Sequence, residues 1–575
     1  MKKIIYSIFS AFALCSMLML SSCSDFFNPS TDDALDGKDY ISSNTELYTG
    51  FLGVMTKLQA VGDKEILLTE TRGELLEPTA SSTPELVALY NYNSDLGDNS
   101  YANPSAYYEL IIACNDFLAK VKEYAAKPGV DREICENLIA STVRIKVWTY
   151  KTIGEIYGKA IWFDDAVVNV DEFMKNGNYQ TLSMPELVDK CLALMDNGFD
   201  GVPTSKTIDW IAWLDPENVT NISSSNYRKW NYMIPTYEGV YAELCLWKGA
   251  VMDAQNQDAT SYYKKAADLI LAALGTYINN QGNSGNNPYW MPNAGTAGRY
   301  QNLWYAQDPY APENVTALIY DYKNKQTNAL VRHFCSDYPA EYLLRPTETA
   351  RGNFLDSEMN PGGSINETRY KNLFRQNGND YYMGKFRPNG GYNGVRSNAY
   401  EADVQIYLYR ATQYHIMLCE ALNHLQRFTA LGCVLNGGIN NFSQEIIDST
   451  NVAEWEGFTR NWTADAEWGT RKYYCEGIRG AFSLTARPID NATENSLATA
   501  LRANDEQILN EYMMEFACEG KVYPVMNRMA LRYKDLNIVA DRVCPKYKAS
   551  GMDEEIRAKI LAGGNYVPYD LGVSK

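Results

Sequence analysis

The chain has 575 residues, a formal net charge of -18, 21% charged residues and 46% hydrophobic residues. That balance excludes a disordered chain, and the length allows one large core or a few fused units. The acidity argues against nucleic acid as a partner, because phosphate contacts need clustered Lys and Arg.

The chain opens with Lys2 and Lys3, an apolar run from Ile4 to Leu20, and then Ser21-Ser22-Cys23. A basic start followed by an apolar stretch ending at small residues reads as a signal peptide over residues 1–22. The run is marginal for a membrane span, which needs ~20 apolar residues. Its end resembles a bacterial lipoprotein signal, in which the cut falls before a cysteine that is then acylated. On that resemblance the mature chain is 23–575, with Cys23 as the lipidated residue and the only membrane anchor. Stable attachment would need more than one acyl chain, each buried CH₂ contributing about 0.8 kcal/mol.

Helices are predicted on both sides of an irregular middle. Tyr107, Ile111, Cys114, Leu118, Val121 and Ala125 step by four and three along one face. Lys127-Pro128-Gly129 breaks that helix, and a second runs from about Asp131 to Tyr157 with Gly158 as its stop. Further helices are expected over 184–198, 230–252, 262–274, 403–427, 504–520 and 525–533. Neighbouring pairs suggest degenerate tetratricopeptide-like stacking without a clean 34-residue period. The expected architecture is one mainly α domain, with a helical scaffold over about 23–275 and 401–575 and a loop-rich insertion over about 276–400. A loop region that long inside a compact protein is usually functional.

The chain carries 43 tyrosines and 11 tryptophans, many of them in Asn/Gly-rich stretches where flat rings suit sugars or peptide planes. The cysteines form no C-x-x-C pair and read as small buried hydrophobes rather than a disulfide scaffold. His333, His415 and His424 are the only histidines, and no zinc, P-loop, dinucleotide or serine-hydrolase signature occurs. No metal, cofactor or catalytic residue is therefore assigned. Glu511, Glu515 and Glu519 recur every four residues, which reads as a solvated or salt-bridged face before it reads as a cation or acid-base site. Asp164-Asp165 are adjacent carboxylates, and adjacency gives no glycosidase geometry.

Several segments, in order, resemble the SusD/RagB family of Bacteroidetes outer-membrane nutrient-binding lipoproteins. They are Cys23-Ser24-Asp25-Phe26-Phe27, Tyr107 to Val121 containing Ile112-Ala113-Cys114-Asn115, and Arg144 to Gly158. Tyr241-Ala242-Glu243-Leu244 with Trp247-Lys248-Gly249, Tyr342 to Thr347, and Thr368-Arg369-Tyr370 follow. The last are Ile508-Leu509-Asn510-Glu511, Glu515-Phe516-Ala517 and Glu519-Gly520. Tyr512 stands where the family usually has arginine, and Val522-Tyr523-Pro524-Val525 replaces a basic-aromatic-Asp-Leu run, as in a divergent branch. The resemblance implies a helical scaffold with a loop-rich ligand face and no enzymatic activity. It also implies a SusC-like TonB-dependent outer-membrane β-barrel as partner, over which the lipoprotein sits as a lid and delivers glycan or oligopeptide. In glycan-binding relatives loop rings form a stacking arc. The corresponding stretches here hold Tyr92 and Tyr101, then Trp290, Tyr300, Trp304 and Tyr305. Arg72, Asn91, Asp98 and Asn302 are their polar neighbours. The rival functions are a glycoside hydrolase of the same pathway and a protein-binding scaffold or adhesin.

Overall fold

The computed structural model describes residues 41–167, 173, 175, 177–208, 233–280, 303–304, 313–336, 340–366, 368–387, 390–391, 394–395, 403–437 and 477–569. The first helix, α1 (Asn44–Arg72), begins at Ser43, whose hydroxyl accepts from the Glu46 amide. The sequence analysis assigns no helix here, although Leu47, Phe51, Val54, Leu58 and Val61 step by four and three along its buried face. Only in its last two turns, from Glu65 to Arg72, is every residue buried, charged ones included. A three-residue strand β1 (Leu76–Pro78) and a short helix α2 (Pro84–Tyr90) follow.

The first predicted hairpin is present as α3 (Ser105–Ala125) and α4 (Arg132–Tyr157). Asp131 caps the N-terminus of α4 through the Glu133 amide. Gly158 ends it in the left-handed region at φ 72°, with its amide on the Gly154 carbonyl. A ribbon of β2 (Lys159–Trp162) and β3 (Gln180–Ser183) leads into α5 (Met184–Asn197). The next pair is α6 (Tyr237–Ala254) and α7 (Thr260–Asn280), so the described helix starts later than the expected residue 230.

Inside the insertion the strand-like run becomes β4 (Asn314–Leu318). After it come α8 (Leu330–Phe334), β5 (Leu344–Pro346), α9 (Glu348–Ser357) and α10 (Thr368–Leu373). The hairpin of β6 (Phe374–Asn377) and β7 (Asp380–Met383) closes this stretch.

The helix expected over 403–427 is corrected. Residues 406–410 form β8 (Ile406–Arg410), antiparallel to β4, and only Ala411–His424 is helical, as α11. Ile, Tyr, Leu and Tyr suit a buried strand, and the strand carries the Arg410 side chain into a buried ion network described below. Next come α12 (Phe428–Leu435), α13 (Leu497–Phe516), α14 (Val522–Tyr533), α15 (Asn537–Val543) and α16 (Asp553–Lys559). Helix α13 thus starts earlier than expected and ends before Glu519.

One large apolar core joins α1 to the C-terminal helices. A second, small cluster holds Leu303, Trp304, Ala317, Tyr407, Ala481, Phe482 and Leu484. The described cysteines, Cys114, Cys135, Cys191, Cys245, Cys335, Cys419, Cys433, Cys518 and Cys544, are buried and unbridged. Among the described residues no helix is long and apolar enough to cross a membrane.

Candidate ligand-binding face

Two loop regions far apart in sequence meet on one face. Strand β1 pairs antiparallel with β5, with Glu77 opposite Arg345. The Thr79 amide then donates to Leu343 O (3.0 Å), and the Thr347 amide to Leu75 O (2.9 Å). Further along, the Tyr101 hydroxyl lies 2.9 Å from His333 Nε2, on α8. His333 Nδ1 is 2.7 Å from the Ala329 carbonyl, which can only accept, so Nδ1 carries the proton and Nε2 accepts from Tyr101. Burial holds the His333 pKa below its ordinary value, which keeps this neutral tautomer.

The C-terminal segment supports the face from beneath. Lys546 Nζ donates to the carbonyls of Thr71 (3.1 Å), Gly73 and Leu76 (3.1 Å), at the end of α1 and the start of β1. It also lies 4.6 Å and 5.1 Å from the ring centres of Tyr90 and Tyr547. All three ammonium protons therefore have acceptors although the side chain is buried. The Tyr547 hydroxyl donates to Tyr90 O, and Lys559 Nζ to Asn91 O (2.9 Å).

The predicted ligand residues divide into three groups. Tyr101 is half-buried and Asp98 exposed, so both are available on this face. Arg72 and Tyr92 are corrected to interior residues, at 1% and 3% exposure. Arg72 Nη2 donates to the Gly564 and Tyr566 carbonyls, and its guanidinium carbon sits 3.9 Å above the centre of the Tyr92 ring. The Tyr92 hydroxyl donates to Arg72 O and lies 3.1 Å from the Tyr523 hydroxyl. This pair braces the loop and offers no ring to a ligand. Trp304 is likewise buried, edge-on to Tyr407 at 5.2 Å and beneath Lys385 Nζ at 4.4 Å. Cys23, Trp290, Tyr300, Asn302 and Tyr305 lie outside the described residues.

The reading by sequence also missed half-buried groups on the same face. Tyr342 precedes β5 at φ 53°, and its hydroxyl donates to Tyr381 O on β7 (2.5 Å). Arg351 of α9 stacks on the Tyr381 ring. The only signal was the Tyr342 to Thr347 landmark, which says nothing of a partner on β7.

The acidic clusters are consumed internally. Glu511 accepts from Arg369, Arg479 and Arg487, each at 2.7 Å. Glu515 accepts from Arg369 (3.1 Å) and Arg410 (3.0 Å), and Glu519 from Arg410 (2.8 Å) and Lys385 (2.6 Å). Glu313 and Glu358 complete the network through Arg410 and Arg369. Burial alone would raise the Glu511 pKa, but its three arginines hold it well below the carboxylate range. The salt-bridged reading of these glutamates is therefore correct and the solvated one is not. Asp164 accepts from Lys146 Nζ (2.6 Å) and Trp162 Nε1 (2.9 Å), again a structural pairing.

No protein-family model matches the sequence, and no curated protein matches it. Solved structures share the fold. A SusD superfamily protein from Bacteroides vulgatus superposes with a TM-score of 0.57 over 92% of this chain and 95% of its own, at 11% identity. One from Bacteroides thetaiotaomicron gives 0.56 over 92% and 96%, at 14% identity. A SusD-like carbohydrate binding protein from Bacteroides fragilis gives 0.52 over 86% and 87%, at 14% identity. The chain has the mainly α SusD fold along nearly its whole length.

Proposed function

We propose that the protein is a divergent SusD-type binding lipoprotein. It is held at the outer membrane through Cys23, captures glycan on the face built from 76–104 and 330–387, and delivers it to a SusC-like TonB-dependent barrel as a lid. The observation that carries this reading is the SusD fold over nearly the full chain, shared with a carbohydrate-binding protein of that fold. Capture would use half-exposed tyrosines for stacking and loop polar groups for hydroxyls, with no chemical step. A non-catalytic role agrees with the described acidic clusters being occupied by arginine and lysine.

The test is calorimetry of the full chain in detergent against polysaccharides and peptide pools. Saturable heat with a glycan is expected. Heat with peptides alone would reject the glycan assignment, and product release from a polymer would reject the non-catalytic one. For the lid, deletion of the protein should abolish glycan uptake through the barrel, and unchanged uptake would overturn it.

A further inference from the structure

We infer that Arg351, held over the Tyr381 ring, is a recognition site for a carboxylate, and that the glycan bound on this face carries acidic sugars. The inference rests on the glycan-binding reading above. Helix α9 starts at Thr347, whose hydroxyl accepts from the Ala350 amide (3.1 Å), and this cap fixes the first turns that present Arg351. The guanidinium carbon lies over the Tyr381 ring, 3.7 Å from its centre, a cation–π contact. Tyr381 is itself fixed, because its carbonyl accepts from the Tyr342 hydroxyl. Tyr342 keeps a left-handed backbone, which a bulky residue adopts only where its surroundings impose it.

The contrast with the neighbouring cations identifies the site. Arg345 is paired with Glu77 (2.8 Å) and Arg332 with Glu341 (2.7 Å). Among the described residues no carboxylate pairs with Arg351 and no acceptor takes any of its guanidinium N–H groups. Its Nε is shut in without a partner. Asp380 on the same hairpin is exposed and does not pair with it. In a chain of net charge -18 an uncommitted guanidinium on a loop-rich face stands out. A stacked guanidinium has already lost much of its rotamer freedom, so a planar carboxylate can meet two N–H groups at a low ordering cost. Half-buried Tyr342 and Tyr381 add apolar surface beside it, and a uronic or sialic acid presents both a ring and a carboxylate.

The experiment compares oligogalacturonate, hyaluronan oligosaccharides and sialyllactose with their carboxyl-reduced counterparts, using the full chain in detergent. Wild type, Arg351→Gln and Arg351→Lys are titrated at two salt concentrations, with thermal melts to verify folding. At least one acidic ligand should bind, weakening by about tenfold or more on carboxyl reduction or in Arg351→Gln. Arg351→Lys should recover only part of the affinity, because it keeps the charge and loses the fork. Equal binding of acidic and reduced sugars, or of wild type and Arg351→Gln, overturns the site and leaves the glycan reading intact. Binding of neutral glycans only does the same. Binding of acidic peptides with silence toward every sugar overturns both.

Discussion

Arg369 shows what a single buried charge does in this molecule. Its guanidinium meets Glu358, Glu511 and Glu515 with no solvent exposure at any of the four side chains. Arg369→Met would leave buried carboxylates uncompensated. It should cost about 3–5 kcal/mol in urea denaturation, whereas a loss under 1 kcal/mol would mean that the other arginines suffice. Glu70 is the opposite case. It accepts from the Gly520 amide (2.9 Å) but has no ion-pair partner among the described residues, and burial pushes its pKa up to about 7. A raised pKa means that the folded state holds the proton more tightly. The stabilisation is complete below the unfolded value of 4.5 and is lost as pH rises through about 7. Glu70→Gln should therefore gain on wild type across that window, by up to about 3 kcal/mol at pH 8. A pH-independent difference between the two unfolding curves would refute the shift.

At the scale of elements, the candidate face is held by contacts made from outside it. Lys546 ties the end of α1 to β1 through three carbonyls, so Lys546→Met leaves buried acceptors unmet. Hydrogen exchange should rise first in residues 73–92, with an overall loss of about 2–4 kcal/mol. Uniform exchange throughout the chain would mean that the lysine has no local role. Gly158 joins α4 to β2 in the left-handed region, and a Cβ there would stand 2.7 Å from the Tyr566 ring. Gly158→Ala should lower stability by more than about 1 kcal/mol in denaturant melts. A neutral result would show that Tyr566 can move aside. Helix α3 was legible because it buries one stripe, and α4 because its apolar residues keep the helical spacing although every residue from Leu138 to Tyr157 is buried. Helix α1 was not read although Leu47, Phe51, Val54, Leu58 and Val61 form a stripe, and strand β8 was not because a partner strand about 90 residues upstream overrides the helical pattern.

At the scale of the whole molecule, the proposed capture face depends on bringing 76–104 together with the described residues of 330–387. Calorimetry can ask whether the joined face acts as one site. Tyr101→Ala removes a half-buried ring whose hydroxyl meets His333 and which packs edge-on against the His333 ring. If the ring stacks on glycan, its loss should weaken binding about five- to fifty-fold, equivalent to 1–2.3 kcal/mol, with the melting temperature nearly unchanged. Unchanged affinity would move the site away from this loop.

Sequence by itself determined the helical class, the hairpin of α3 and α4, the stop at Gly158, the burial of the described cysteines and the resemblance that the fold bears out. These are local matters, set by periodicity, capping and composition within a few turns of chain. Tertiary structure alone decided which rings face out. Tyr92 and Trp304 look like loop aromatics in the sequence, yet both are buried, because Arg72 lies over one and Lys385 over the other. It also decided that Glu511, Glu515 and Glu519 face a wall of arginine and lysine rather than water, and that Arg351 does not. Burial and charge pairing depend on what lies across space, and in this chain those partners come from tens to hundreds of residues away.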